Sequence, residues 1–410
     1  MPKDSKNKGG LRVVMLIILV FGIQNGFSQS TENISHGLKS LGFENIRTIN
    51  SKGNIYVSIE NNIYRWDPLA IAEALDLISI NTADSSYLNI IMMEKGIPGI
   101  LISVNSCLWR EFRKGTIARD QFYDNFEVTW EVKDAWAKLK KNKPENLHTG
   151  KMDIVLYPQF NYENTLLSRI YETQFNIAPA MEFSIWKGNK FTGQVIFPIH
   201  NELGYEGGFV RPGFVTISQE FRLPKQWLGY FSAGNFNNSR YGFEIYLRHP
   251  FLNKNWLFEL KTGLTGSSHF FDYQWTHSKL NTITWSSSLS WYYQRFNMVF
   301  EGGAAQYIYN DRGLFATCTR FFGETSVGFY ALVNEKNLNG GFIVTIPFPF
   351  KKRLKRSLIR LTIPDNFNLG YNAGAELYYS QNFRSNIDDN LINNINFTVM
   401  FKNEIINLKK

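Results

Sequence analysis

From Lys151 onward, apolar and polar residues alternate with a period of two, and this pattern restricts the fold more than any other feature of the chain. Successive side chains of a β-strand point to opposite faces of its sheet, so the alternation predicts strands with one apolar and one polar face. Helical periodicity is almost absent from this part of the sequence. The clearest segments lie at 243–247, 256–261, 283–292, 326–333, 342–348 and 397–401.

Alternation alone fits both a soluble β-sandwich, whose apolar face points inward, and a membrane β-barrel, whose apolar face points to lipid. Two features favour the barrel. The segments are about 9–12 residues long, which is the length that a tilted strand needs to cross the hydrocarbon. Trp and Tyr also cluster at segment ends, as in an aromatic girdle. We therefore predict a mainly β fold, with a single outer-membrane antiparallel β-barrel of about 12–16 strands over residues 151–410.

The first 28 residues have the pattern of a cleavable signal peptide. Four basic residues and one acidic residue lie within 3–12, and an apolar run of 11 residues follows at 13–23. This run is too short to span a bilayer, and Gly26 and Ser28 suit the small-residue positions of a cleavage site. We expect residues 1–28 to be removed and the protein to be exported to the outer membrane.

Residues 29–114 mix helix and strand signals in the order αββαββα. A hairpin is predicted around the turn at 51–54. Asp67-Pro68 opens a helix in which Leu69, Ala72, Leu75 and Ile78 share one face. We predict a small α+β periplasmic domain with its helices on one face of a short antiparallel sheet. The lysine-rich stretch at 115–150 is interpreted as a less regular connector.

Composition and motifs argue against several classes of function. The net charge is +9 and falls by three to +6 without the leader, with no concentrated basic face, which is weak for a nucleic-acid binder. Cys107 and Cys318 lack a spacing pattern, so we expect both to be unpaired. The six His residues form no metal-binding motif, and the sequence contains no GxSxG, phosphate-binding glycine loop or nucleophile–base pair. We predict no enzymatic activity, no metal and no cofactor.

Charged residues on the polar face of adjacent segments would line the lumen of a barrel and act on a saccharide or an ion. The lumen-lining candidates are Glu244, Arg248, Glu259, Lys261, Glu301 and Arg320. The alternative is that they form ion pairs across the wall and only fill the interior. Asp388-Asp389 is interpreted as a loop. The basic run at 351–356 is interpreted either as a contact with lipid phosphates or acidic polymer, or as a solvated turn.

In the stretch 315–331, a strand that ends in a basic residue is followed by a strand that begins after a glycine. The stretch 340–348 is a return strand that ends with an aliphatic residue followed by proline. This arrangement resembles the YjbH family of exopolysaccharide-associated outer-membrane proteins. The hairpins at 232–260 are similar to the repeated barrel hairpins of that family, and Tyr64-Arg65 with 70–74 looks like its helical periplasmic segment. The resemblance implies a barrel in the outer membrane, a role with exopolysaccharide, and no catalytic residues to assign.

We therefore expect a part in the export or assembly of an exopolysaccharide or capsule. The expected partners are outer-membrane lipid, polysaccharide and other proteins of an export system, but not nucleic acid. Two alternatives remain: a general diffusion porin, and a secreted soluble β-sandwich that binds or hydrolyses glycans.

Overall fold

The computed structural model describes residues 31–163, 172–251, 255–334, 338–373, 381–387 and 396–408. The predicted signal peptide and the Asp388-Asp389 pair lie outside these ranges. Within them the fold is mainly β, with one sheet of five strands and one of fifteen. No helix in the described part of the chain is long and apolar enough to cross a bilayer. Cys107 and Cys318 are both free.

The smaller sheet and its helices form an α+β domain at the start of the described chain. Its elements are α1 (31–41), β1 (Glu44–Ser51), β2 (Asn54–Glu60), α2 (Asp67–Ile80), β3 (Tyr87–Glu94), β4 (Ile97–Asn105), α3 (Ser106–Lys114), α4 (Arg119–Asn125), β5 (Glu127–Thr129) and α5 (Lys133–Leu139). The predicted order of elements up to Lys114 is confirmed. The strands follow one another in space as in sequence, from β1 to β5.

The smaller sheet is mixed, whereas the sequence analysis predicted an antiparallel one. β2 and β3 run parallel, and the other neighbouring strands run antiparallel. The reason is α2, which carries the chain over the sheet so that β3 starts from the same end as β2. Ala72, Leu75 and Ile78 of α2 are buried in the core and Leu69 packs against it, as their spacing predicted.

Residues 115–150 are part of the α+β domain, so their interpretation as a connector was wrong. β5 pairs with β4, and Phe122, Phe126 and Trp130 are buried in the main core. Val132 and Leu139, at the two ends of α5, pack on the opposite face of the sheet. The helices therefore cover both faces of the sheet, and not one face as predicted. Lysines around α5 hid this amphipathic pattern, because they occupy only its solvent side.

The larger sheet contains the alternating segments that the sequence analysis identified. Its strands are β6 (Met152–Glu163), β7 (Glu172–Phe183), β8 (Asn189–Asn201), β9 (Arg211–Arg222), β10 (Leu228–Asn235), β11 (Arg240–Phe251), β12 (Trp256–Phe271), β13 (Gln274–His277), β14 (Thr282–Tyr293), β15 (Met298–Gln306), β16 (Arg312–Phe322), β17 (Thr325–Asn334), β18 (Leu338–Pro347), β19 (Ile359–Thr362) and β20 (Asn366–Asn372). From β6 to β18 each strand pairs antiparallel with the next, except that the short β13 pairs only with β12. This sheet has fifteen strands in the described chain, and they include the short β13 and β19; the prediction of about 12–16 strands concerned a closed antiparallel barrel.

The last two strands of the larger sheet lie at its opposite edges. β19 pairs in parallel with β6, and β20 pairs antiparallel with β18. These two strands are separated by only three residues, 363–365. The ring of Tyr162 on β6 also lies 6.4 Å from the ring of Tyr371 on β20. One short stretch of chain, 359–372, therefore contacts both edge strands.

The two faces of the larger sheet differ in polarity, as the alternation predicted. Phe243, Leu264 and Ile283 are directly opposite one another on β11, β12 and β14, and they are 44%, 39% and 57% exposed. On the other face, Glu244 and Thr284 are buried. The apolar face is therefore the outer face of this sheet, and the polar face is covered by the rest of the protein.

The C-terminal segment around Phe401 is helical, so its interpretation as an alternating strand was wrong. Residues Thr398–Asn407 form α6, which packs into the core of the α+β domain through Phe401 and Ile405. Phe397, Phe401 and Ile405 are four residues apart, which places them on one side of a helix. The same apolar residues also fit a period of two over 397–401, and a segment this short does not distinguish the two periods.

Candidate functional site

A cavity of about 2280 Å³ lies against the polar face of the larger sheet. Inward-facing side chains from β6 to β18 and from β20 line its wall. The α+β domain contributes residues within 60–68 and 92–99, together with His148, at one end. A large concave site with many convergent polar groups is the natural place to look for function.

Hydroxyl groups cluster on two strands of this wall. Ser286, Ser288 and Ser290 of β14 and Thr317 and Thr319 of β16 all line the cavity, and we call these five residues the hydroxyl belt. They face the same way because they are two residues apart along each strand. Serine and threonine hydroxyls both donate and accept hydrogen bonds, so the belt presents both functions to the cavity.

Three of the predicted lumen residues lie next to the hydroxyl belt. Glu259 and Lys261 on β12 and Glu301 on β15 line the cavity, as the sequence analysis expected. Glu259 accepts a hydrogen bond from the Tyr246 hydroxyl, and the ammonium of Lys261 lies 5.1 Å from the centre of the same ring. Glu301 accepts from the Thr317 hydroxyl at 3.3 Å. These charges are therefore held by the wall itself.

Two other predicted residues, Arg248 and Glu244, lie on the same face of β11. Arg248 lines the cavity and donates to the Asn396 side-chain oxygen at 2.6 Å. Glu244 is buried and accepts a hydrogen bond of 2.5 Å from the Ser385 hydroxyl. Both residues therefore hold the C-terminal part of the chain against the inner wall.

Arg320 was predicted to face the lumen, but it lies on the outer face of the larger sheet. Thr317 and Thr319 on the same strand face the cavity, so residue 320 points the other way. Its side chain is exposed, and its guanidinium lies 5.0 Å from the centre of the Phe322 ring. The prediction failed because it was based on the charge of the residue and not on whether its position in the strand faces the same side as Thr317 and Thr319.

The chain that follows β20 enters the cavity. Phe383 stacks on Phe236 at the far end of β10, with 5.1 Å between the ring centres. Ser385 is fully buried, and Asn396 contacts Arg248 near the other end of the wall. The described parts of this segment, 381–387 and 396–397, therefore lie along the inner face, and α6 then anchors the chain in the α+β domain.

The α+β domain contacts the end of the larger sheet through partly buried ion pairs, and we call this contact the domain seam. Lys95, in the turn between β3 and β4, is paired with Glu94 at 3.3 Å and with Glu220 of β9. Burial alone would lower the pKa of Lys95, but the charges of Glu220 and Glu94 outweigh burial, so its pKa is raised. Lys95 is therefore a fixed cation of the seam.

Arginines at two other points complete this part of the seam. Arg65 binds Glu324 with two hydrogen bonds, of 2.5 and 2.7 Å. Arg222 of β9 donates to the carbonyl oxygens of Pro98 and Gly99, at 2.8 and 2.6 Å. Guanidinium groups suit these positions because their donors form a planar fork that matches paired acceptors.

The basic run at 351–356 is divided between solvent and the seam: Lys351, Lys352 and Lys355 are exposed, as in a solvated turn, whereas Arg353 and Arg356 contact the α+β domain. The amide of Arg353 donates to the Ile63 carbonyl at 2.7 Å. Arg356 is paired with Glu44 of β1 and with Asp153 of β6. The two arginines therefore bind groups of the protein's own chain, and the lysines of the run are exposed.

Asp67, at the start of α2, is a second titratable group on the cavity side of the seam. It accepts a hydrogen bond of 2.7 Å from Asn61. Removal from bulk water raises its pKa to about 7, with a further upward contribution from Glu94 and Asp365 against the lowering effect of the Asn61 hydrogen bond. Asp67 therefore changes its charge near neutral pH.

The sequence analysis missed the domain seam because its partners lie far apart in the chain, as Arg65 and Glu324 do, and no local pattern links them. The described residues contain no group of three or more His, Cys, Asp or Glu that could hold a metal ion. No protein-family model, curated protein or solved structure matches the chain.

The seam leads to a prediction for Gly188, in the turn between β7 and β8. Its amide donates to the Lys95 carbonyl at 2.7 Å, its φ is +78°, and an added Cβ would lie 2.5 Å from the Glu220 carbonyl oxygen. Gly204 is a matched control, because its φ is +68° and its Cβ would meet nothing within 4 Å. Gly188→Ala should lower the free energy of unfolding by about 1–3 kcal/mol more than Gly204→Ala, measured by denaturant titration. Equal losses of unfolding free energy in the two variants would show that residue 188 and the Glu220 carbonyl are not in close contact.

Asp67 leads to a prediction about pH. Its folded-state pKa, about 7, lies above the ordinary value of 3.8. The stability that depends on its protonation is therefore present at low pH and is lost as the pH rises from about 4 to about 7. Asp67→Asn should remove this loss, so the variant should gain stability relative to the wild type between about pH 5 and about pH 8, measured by thermal unfolding. Asp124→Asn, at an exposed carboxylate on α4, should keep the wild-type pH dependence. If the two variants show the same dependence of stability on pH, Asp67 is not the group that titrates near neutral pH.

Proposed function

We propose that this chain is an outer-membrane β-barrel protein that takes part in the export or assembly of an exopolysaccharide. The observation that carries the proposal is the large polar cavity, which lies behind a sheet whose outer face is apolar and exposed. The role is physical: the wall shields a polar passage from lipid, and the α+β domain stands at one end of it.

The ends of the larger sheet support a closed wall. The segment 359–372 pairs with β6 through its first half and with β18 through its second half. The contact of Tyr162 with Tyr371 lies across the same gap. Closure would satisfy the backbone groups of both edge strands, which a bilayer requires because it offers them no water.

The distribution of polarity favours a barrel over a soluble sandwich. A sandwich buries apolar side chains between its sheets, whereas here Glu244 and Thr284 are buried and Phe243 and Ile283 are exposed. Exposed apolar residues in register across several strands form a continuous patch, and patches of this kind mark contacts with lipid or with another protein.

The lining of the cavity supports a saccharide as the ligand. The hydroxyl belt supplies donors and acceptors, and tyrosines such as Tyr246 and Tyr330 supply rings beside them. The resemblance of 315–331 and 340–348 to the YjbH family points to the same class of polymer. A general diffusion porin has no need for the α+β domain or for the segment 381–387 inside the cavity, which is why we place it second.

The membrane part of the proposal predicts a penalty for charge on the outer face. Ile245→Arg, on the outer face of β11, should destabilise the assembled protein by about 2–4 kcal/mol if the residue lies near the middle of the bilayer. Ile80→Arg is the matched control, because Ile80 is 73% exposed on the α+β domain. The measurement is the urea midpoint of the protein folded into lipid vesicles. If both variants are equally tolerated, the outer face does not meet lipid.

The export part of the proposal predicts the phenotype of a deletion. Loss of the gene should reduce the surface polymer or trap it in the periplasm, because the passage is missing. Small-solute permeability should stay as it was, because the proposal assigns the protein to polymer export and not to the diffusion of small solutes. Polymer is measured on intact cells and in periplasmic extracts, and permeability by uptake of small sugars. Normal surface polymer with reduced sugar uptake would favour the porin.

A further inference from the structure

The cavity is lined by many charged residues, and their formal charges balance. Among the described residues that line it, ten are Lys or Arg and ten are Asp or Glu. Many of these are paired with each other: Arg65 with Glu324, Lys95 with Glu94 and Glu220, Lys190 with Glu182, Arg353 with Asp365, and both Arg356 and Arg360 with Asp153. Many charged side chains of the lining are therefore already neutralised by ion pairs with one another.

The same balance holds around the hydroxyl belt. Arg248 on β11 interacts with Glu259 on β12, and Lys261 on β12 interacts with Glu301 on β15, so two cations accompany two anions. Glu259 is also bonded to the Tyr246 hydroxyl. A ligand that reached the belt would meet hydroxyl groups and fixed, compensated charges.

We infer that the polymer handled by this cavity is built of uncharged sugar units, which bind at the hydroxyl belt. This inference rests on the proposed export function and names its substrate class. Pores that select anions or phosphate use rings of uncompensated Arg and Lys. A polyanion here would have to break ion pairs that are already formed and would meet Glu259 and Glu301, whereas a neutral sugar needs only hydroxyl partners and rings.

The geometry of the belt suits a neutral chain. Its residues are two apart along β14 and β16, which spaces the hydroxyl groups by about 6.6 Å along each strand. Ser288 and Thr319 are both mostly buried in the wall, so their hydroxyl groups are held in place before a ligand arrives. Phe383 and Ser385 of the described C-terminal segment lie against β10 and β11, and Phe397 packs on Tyr292 at the end of β14, while Ser286, Ser288 and Ser290 line the cavity.

Charge variants at the centre of the belt test the inference. Ser288→Lys and Ser288→Asp add one charge of opposite sign at the same point, and Ser288→Asn is the matched neutral control. Each is expressed in full-length form in the deletion strain, and surface polymer is measured per amount of assembled protein. For a neutral polymer, the Lys and Asp variants should show no consistent preference between position 288, beside Glu301, and position 286, opposite Lys261, because these two neighbours favour opposite charges. An acidic polymer would separate the two variants by about tenfold in favour of Lys at both positions, and a basic one in favour of Asp; either result would overturn the inference.

A second site and a direct chemical assay keep the inference testable if a variant at position 288 misfolds. The same pair of substitutions is made at Ser286, nearer the far end of β14, and assembly of every variant is judged by heat-modifiable gel migration. Separately, the polymer that the deletion strain loses is assayed for uronic acid, phosphate and amino groups. Their absence supports the inference, and their presence in every repeat overturns it while leaving the export function intact. A deletion strain that loses no polymer overturns both.

Discussion

The domain seam determines how the rest of the structure is arranged. Arg65, Lys95 and Arg356 each join the α+β domain to a carboxylate on or beside the larger sheet. Burying an ion pair removes two charges from water, so such pairs add little net stability, but leaving one partner alone is costly. Their main effect is therefore to allow one relative position of the two parts. That position places the α+β domain across one end of the polar cavity.

Local patterns predicted much of the fold. The helical spacing of Leu75 and Ile78 and the alternation around Ile245 each reflect burial on one side of an element, and this is recorded in neighbouring residues. The segment around Phe401 shows the limit, because a few apolar residues fit both periods. The tertiary contact with the α+β domain decides between them, and that contact lies outside any local window.

The candidate site was less predictable than the fold. The charges of Glu259, Lys261 and Glu301 were assigned to the cavity from alternation alone, and the structure places them there. Arg320 was assigned to the cavity, but it alternates with the residues of β16 that face the cavity and therefore lies on the outer face. Hydroxyl groups such as Ser288 were overlooked because serine in a strand has no distinctive pattern, and only the neighbouring strands turn it into part of a surface.

The position of α6 has a consequence for the order of assembly. Phe401 and Ile405 complete the core of a domain whose other elements are all encoded before residue 140. During synthesis, that domain emerges first but lacks part of its interior until every strand of the larger sheet has been made. The domain that is synthesised first is thus finished last. A chain cut short in its final quarter would leave this core open to proteases, so complete copies would outlast truncated ones.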